Sequence, residues 1–368
     1  MTIAVLILSA AGCLIAQSPA WVVQESGTTA SLRGISAVNA RVVWASGSGG
    51  TYLRTIDGGA TWKAAKVPGA SDVDFRAVRA FDDKTAFLLS IGSGEKSRIY
   101  RTEDGGERWQ LLYTNPDPKG FWDALAFWDD VHGIILGDPV DGHFVIMTTE
   151  DGGQSWHRQK TPAALPNEGS FAASNSCLTV QGAHQVWFGT GGPGGARVFH
   201  SEDGGATWTV AKTPIRNDGA SAGIFSLAFS DAKRGVAVGG DYNKPTETTG
   251  VVALTSDGGK TWTAPSSETS TGTGVGVPRG FRSAVEYLMD RKMWIATGTS
   301  GSDRSSDDGK SWQHFDSGNY NAISFAGMTG WAVGPKGAIA RIQWITELPV
   351  VAGRIRDFGF GIVGQPRE

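Results

Sequence analysis

Apolar residues in this chain come in short runs, each closed off by glycine, aspartate, serine or threonine. Ala124-Leu125-Ala126-Phe127, Gly133-Ile134-Ile135-Leu136-Gly137 and Phe144-Val145-Ile146-Met147 form one set. Ser226-Leu227-Ala228-Phe229, Gly235-Val236-Ala237-Val238-Gly239 and Val251-Val252-Ala253-Leu254 form another. Runs of this length between turn-forming residues predict β-strands. A fourth strand follows each set, opened by tryptophan as in Trp208-Thr209-Val210. The last set, Ala322-Ile323-Ser324-Phe325, Gly330-Trp331-Ala332-Val333-Gly334 and Ala338-Ile339-Ala340-Arg341-Ile342, has no fourth member after it. Near the start, Trp21-Val22-Val23-Gln24-Glu25 has the character of that missing strand. Joining the two ends gives seven four-stranded units and leaves no long bare sheet edge. Six units with a frayed tail is the alternative.

Between the third and fourth strand of a unit one phrase recurs. Its first copy is Thr55-Ile56-Asp57-Gly58-Gly59-Ala60-Thr61-Trp62, and its aspartates are Asp57, Asp104, Asp151, Asp203, Asp257 and Asp307. They step along the chain by 47, 47, 52, 54 and 50 residues. A period of that size signals a propeller or solenoid. Glycine supplies backbone angles that other residues resist, and aspartate folds back onto turn amides, so each copy predicts a self-bonded hairpin turn. The tryptophan is placed to bury its ring between neighbouring sheets, with an N–H that needs a partner. Calcium binding is the rival reading, but no copy has the alternating oxygen ligands of an EF-hand loop. The fold expectation is all-β: a seven-bladed β-propeller of four-stranded antiparallel blades, the last closed by N- and C-terminal strands.

In pattern and period the phrases resemble the Asp-box, or BNR repeat. That repeat is found in sialidases, some xyloglucan-degrading hydrolases, sortilin-type receptors and photosystem II stability/assembly factors. The resemblance implies that the boxes lie on strand 3 to strand 4 turns, away from the functional face, and that their aspartates are structural. The single-domain layout from Trp21 to Ile342 is similar to the photosystem II stability/assembly-factor-like proteins. Segments such as Phe75-Arg76-Ala77-Val78 and Phe281-Arg282-Ser283-Ala284 add to this likeness. It implies an exported or lumenal propeller with a binding or assembly role, and the family name alone does not imply photosynthesis.

Composition changes this picture in three ways. A formal charge of -3 with no basic stripe gives no electrostatic case for nucleic acid. The apolar run beginning Ile3-Ala4-Val5-Leu6-Ile7-Leu8 is short for a bilayer span and reads as a secretory signal cleaved after Ala16 or Ala20, although a positive n-region is missing. Cys13 in that segment is a candidate lipid-attachment site. Only Cys177 remains in the mature chain, so no intrachain disulfide forms. The domain expectation is residues 1–20 as signal, 21–344 as propeller and 345–368 as a tail. The localisation it implies is periplasmic or secreted, with lipid anchoring through Cys13 as the one membrane link.

Several motifs are traps. Gly219-Ala220-Ser221-Ala222-Gly223 fits the serine-hydrolase elbow but precedes a strand, not a helix. Gly259-Lys260-Thr261 and Gly309-Lys310-Ser311 lack the first glycine of a phosphate loop. The glycine run Gly272-Thr273-Gly274-Val275-Gly276 has no βαβ unit around it, and the six histidines show no metal-ligand spacing. No cofactor and no metal is expected.

Function is sought on the face opposite the boxes, because departures from the repeat there are not required by the fold. Aligned innermost strands give a column of Arg33, Arg76, Trp122, Arg282 and, more loosely, Tyr320, with Asp123 beside Trp122. Loop departures add Asp138, Glu168, Asp241, Tyr242 and Arg279. Guanidinium groups beside carboxylates at a concave mouth suit an anionic or hydroxyl-rich ligand. The bland reading of any one arginine is a blade-to-blade ion pair. The preferred function is an exported, non-catalytic, monomeric propeller that binds or helps assemble an envelope or membrane protein partner, or an anionic ligand, on this face. The alternative is a glycoside hydrolase of sialidase or two-carboxylate type, with Asp123, Asp138, Glu168 or Asp241 as acid and base and a glycan as substrate. The Arg-Ile-Pro signature of sialidases is absent, and no tyrosine is evidently paired with glutamate.

Overall fold

Blade 1 shows how the pattern becomes structure. Its strands Leu32–Ala37, Val43–Gly47, Thr51–Thr55 and Lys63–Lys66 pair antiparallel in chain order. The structure, a computed structural model, describes residues 17–265 and 275–346. Residues 1–16 of the expected signal segment, Cys13 among them, and most of the tail lie outside these residues, as does most of the glycine run at 272–276; residues 17–20 fall in a strand. Blades 2, 3 and 4 repeat the four-strand order over residues 74–114, 122–158 and 178–212. Blade 5 has three strands, Ala222–Phe229, Gly235–Asp241 and Val252–Thr255, and a fourth reduced to the bridge between Leu254 and Thr263. Blade 6 gains an outer fifth strand, Val275–Gly276, beside Trp312–Asp316.

Blade 7 is assembled from both ends of the chain. Ala322–Ala326, Thr329–Val333 and Ile339–Thr346 are joined by the N-terminal strand Gln17–Val23. The closing pair runs antiparallel over seven residues, with Trp21 opposite Ile342. This is the seven-bladed closure the pattern predicts. The strand begins four residues ahead of Trp21, and its partner continues to Thr346.

The core is divided among the blade interfaces. Each of seven apolar clusters among the described residues spans two neighbouring blades, from blades 1 and 2 around to blades 7 and 1. Trp44, Trp187, Trp294 and Trp331 on second strands are fully buried. Among the box tryptophans, Trp156, Trp262 and Trp312 are buried, while Trp62, Trp109 and Trp208 are half-buried.

The boxes are tied turns. Asp57 Oδ1 accepts the Thr55 hydroxyl at 2.7 Å and the Thr61 N–H at 2.9 Å, and Oδ2 accepts the Thr61 hydroxyl at 2.6 Å. Asp151, Asp203, Asp257 and Asp307 repeat all three bonds. Asp104 keeps the first two, because Arg108 stands where the second hydroxyl would be. The glycines hold left-handed angles, with Gly58 at φ 75° and Gly59 at φ 86°, and Asp308 takes the first of these positions in the sixth copy at φ 60°. Hydrogen bonds to the charged form hold the carboxyls of Asp57, Asp151 and Asp203 down to about 2. No metal-binding group of three or more ligands occurs among the described residues.

Candidate functional site

The innermost strands carry a repeated irregularity at their starts. The register shifts between Leu32 and Gly34, between Phe75 and Ala77, between Trp122 and Ala124, and between Ile224 and Ser226. Each shift leaves one unpaired residue: Arg33, Arg76, Asp123 and Phe225. A bulge bends the strand and re-aims its extra side chain. Ser283 and Asn321 stand at the corresponding points of blades 6 and 7, just before strands Ala284–Leu288 and Ala322–Ala326. All six line one cavity of about 630 Å³ at the channel mouth on the box-free face. Blade 4 supplies Ser170, Phe171, Ala172 and Ala173 from its incoming loop.

The mouth has two unlike walls. On one side Phe171 and Phe225 stack at 3.9 Å between ring centres, and Phe281 meets Phe225 edge-on at 4.6 Å. Tyr242, about half exposed, stands 6.1 Å from Phe225. The polar side carries two guanidinium groups and two carboxyls. The Arg33 guanidinium has no hydrogen bond or ion pair among the described residues, and burial lowers its pKa against the opposing pull of Asp74. Arg76 reaches across to the Ala172 carbonyl at 2.8 Å, while its Nε is buried without a partner. Burial, and then the Arg33 charge, bring Arg76 down to about 10, with Asp74 opposing. Asp123 is 1% exposed and its Oδ2 has no partner. Burial, then the neighbouring Asp138 charge, push its pKa well above the usual carboxylate range. Asp138 is also raised by burial, against the Ser170 N–H that its Oδ1 accepts at 2.9 Å.

The expected column needs correction at three positions. Trp122 does not face the mouth: it is fully buried between blades 2 and 3 and stacks on Tyr113 at 5.8 Å. Arg282 is likewise fully buried, with Nε at 2.7 Å from Asp303 Oδ2, a second contact from Nη2 to the same oxygen, and Nη1 at 2.8 Å from both the Phe281 carbonyl and Ser300 Oγ. It is an ion pair within blade 6. Trp122 stands one residue before the bulge at Asp123 and turns into the blade, as Leu32 does before Arg33; Arg282 likewise stands one residue before Ser283, which takes the mouth position. Tyr320 occupies the same inward position in blade 7 and is buried.

The loop candidates also separate. Glu168 is buried, pairs with Arg197 through Oε1 at 2.8 Å and through Oε2, and accepts Thr190 Oγ1 at 2.6 Å and the Leu165 N–H at 2.8 Å. Every oxygen of it is engaged in holding the loop, which removes it as a free acid or base. Asp241 is buried and ties its own loop through the Asn243 N–H at 2.9 Å. Arg279 is exposed, and its backbone N–H rather than its guanidinium meets Asp303, at 3.2 Å. Of the carboxylates proposed as an acid and base, Asp123 and Asp138 reach the mouth. Phe171, Phe225, Phe281, Ser283 and Asn321 are site residues that the sequence column missed. For Phe225, Ser283 and Asn321 the signal was the position two before Leu227, Val285 and Ile323, the place that Arg33, Arg76 and Asp123 hold before Ile35, Val78 and Leu125; Phe171 and Phe281 lie outside that column.

Residues 120–283 match the family model described as photosynthesis system II assembly factor YCF48. The matched stretch runs from just before the innermost strand of blade 3 to just before that of blade 6. It contains Asp123, Asp138, Phe171, Phe225 and Tyr242 from the mouth. No curated protein matches the chain. Among solved structures, YCF48 bound to D1 peptide is similar at 19% identity and a TM-score of 0.60, over 87% of this chain and 96% of that one. YCF48 from Cyanidioschyzon merolae aligns at 20% identity and 0.59, over 88% and 98%. Virginiamycin B lyase from Staphylococcus aureus aligns at 14% identity and 0.59, over 89% and 100%. At these identities the likeness speaks to the propeller fold.

Proposed function

We propose that this protein is an exported, non-catalytic propeller that holds a segment of a protein partner in the mouth of its box-free face. The observation that carries the reading is the mouth itself. Among the described residues the Arg33 guanidinium and the Arg76 Nε have no hydrogen-bond partners, and they share the cavity with the rings of Phe171, Phe225 and Phe281. Unfilled guanidinium donors beside aromatic rings that line the cavity suit an anionic group carried on an apolar body. The D1 peptide bound by YCF48 supports a peptide occupant. Export rests on the N-terminal apolar run. The closing strand starts at Gln17, so cleavage after Ala16 keeps it whole, whereas cleavage after Ala20 removes four of its seven residues.

The hydrolase reading is the weaker one. A glycosidase pair flanks the scissile bond from two sides. Asp123 and Asp138 both come from blade 3 and stand on one wall, next to each other. The test is affinity capture from the envelope fraction with wild type and with Arg33→Glu/Arg76→Glu. The double variant is expected to fold with an unchanged circular dichroism spectrum and to lose the captured partner. Unchanged capture overturns the reading. Arg282 has no place in this test, since its replacement breaks a buried ion pair.

A further inference from the structure

Asp123 is a bulge residue aimed into the mouth, almost without exposure, and its Oδ2 has no partner. An ionised carboxylate with a bare oxygen in such a place is costly, and the same group as a neutral acid costs far less. Asp138 lies beside it and has the better claim to the charge, because its Oδ1 accepts the Ser170 N–H and it is the more exposed of the two. Two adjoining carboxyls share one proton and titrate as a pair. Other groups face Asp123 from each blade. Blade 1 brings Arg33, blade 2 brings Arg76 with Asp74 behind it, and blade 5 brings Tyr242. Blade 4 brings Cys177, whose thiol burial keeps protonated and uncharged. Blades 6 and 7 bring Ser283 and Asn321, which do not titrate.

We propose that Asp123 acts as a hydrogen-bond donor, a neutral carboxylic acid that donates to an oxygen of the anionic ligand group lying between Arg33 and Arg76. This deepens, and rests on, the reading of the mouth as a site for an anion on an apolar body. The ligand class is a carboxylate or similar oxyanion. Such a group gains a third donor beside the two guanidinium groups and avoids facing an unscreened carboxylate. Binding therefore requires the shared proton. As pH rises and the pair loses it, the donor is lost and a second negative charge confronts the ligand.

The probe is N-acetylphenylalanine, titrated calorimetrically between about pH 5 and about pH 9, a window bracketing a raised carboxyl. Its carboxamide is the control without the anion. Wild type is expected to bind the acid and not the amide, with affinity falling about tenfold per pH unit above the ionisation of the pair. Asp123→Asn keeps a donor that cannot ionise, so its affinity stays within about twofold across the range. Asp123→Leu loses the donor and binds about tenfold more weakly even at the acid end. A carbon-13 titration of the Asp123 carboxyl in the free protein reads the proton without any ligand. A wild-type affinity independent of pH, an Asn variant with the wild-type slope, no binding of the probe at the acid end, or an Asp123 carboxyl ionising in the ordinary range overturns the proposal. If any of these occurs while Arg33→Glu/Arg76→Glu still loses the captured partner, the protein-binding reading stands and the role of Asp123 falls.

Discussion

Asp57, Asp151 and Asp203 each accept a turn N–H and two hydroxyl hydrogens, and their carboxyls sit near about 2. A carboxyl depressed in the fold contributes stability that is present above its ordinary range, about 4, and is lost as pH falls through that range toward 2. Melting curves between these limits should show a falling midpoint. The triple change Asp57→Asn/Asp151→Asn/Asp203→Asn should flatten the acid limb while lowering the neutral midpoint; an unchanged limb assigns acid loss to other groups. Arg282 makes the contrasting case. Its guanidinium is fully buried on Asp303, and Arg282→Ala leaves that carboxylate buried without its cation. Breaking a buried pair from one side costs about 3–5 kcal/mol. Denaturant unfolding should register that loss, and a variant within about 1 kcal/mol of wild type contradicts the pairing.

At the scale of the strand, the innermost edge faces the channel and cannot be closed by a fifth neighbour. The chain caps it from the preceding blade. Ser324 Oγ accepts the Ala37 N–H at 3.0 Å, Ser36 Oγ accepts the Ala80 N–H at 3.1 Å, and Glu286 Oε2 accepts the Phe325 N–H at 3.0 Å. The three side chains occupy the same place in their strands, so a serine and a glutamate do one job. Burial raises Glu286 to about 8, against the single N–H. A carboxyl raised in the fold stabilises below its ordinary range, and that contribution is lost as pH climbs toward 8. Ser36→Ala should cost about 1–3 kcal/mol by leaving a buried N–H bare. Glu286→Gln keeps the acceptor and should melt above wild type from neutral pH to about pH 9, converging with it only as pH falls to about 4. Equal melting across the whole range would mean that water, not the protein, solvates this carboxyl.

For the whole molecule the decisive contact joins the two ends. Trp21 is buried against Phe315, Tyr320 and Phe325, and its N–H reaches Ser302 Oγ in blade 6 at 3.0 Å. The N-terminal strand thus fastens the ring to two blades. If the chain is exported, amino-terminal sequencing of the mature form should begin at Gln17. A start at residue 21 would place the cut inside the strand and contradict the proposed processing.

Strand order within a blade and the box turns were legible because each depends on neighbours close in sequence. Six copies of a turn that bonds to itself, and short apolar runs between turn residues, carry their own geometry. The innermost-strand column was legible only in part. Arg33, Arg76 and Asp123 read correctly, but Arg282 and Trp122, each one residue before a mouth position, point into the blades; at Trp122 the bulged Asp123 reverses the facing of the side chain before it. Sequence alone determined the four-stranded repeat and that its commonest aspartates tie hairpins, while the pairing of residues 17–23 with 340–346 decided seven blades over six. Tertiary structure decided which charged side chains are spent on ion pairs and which face the mouth unpaired, since a guanidinium's partner lies wherever the ring brings a carboxylate, tens of residues away along the chain.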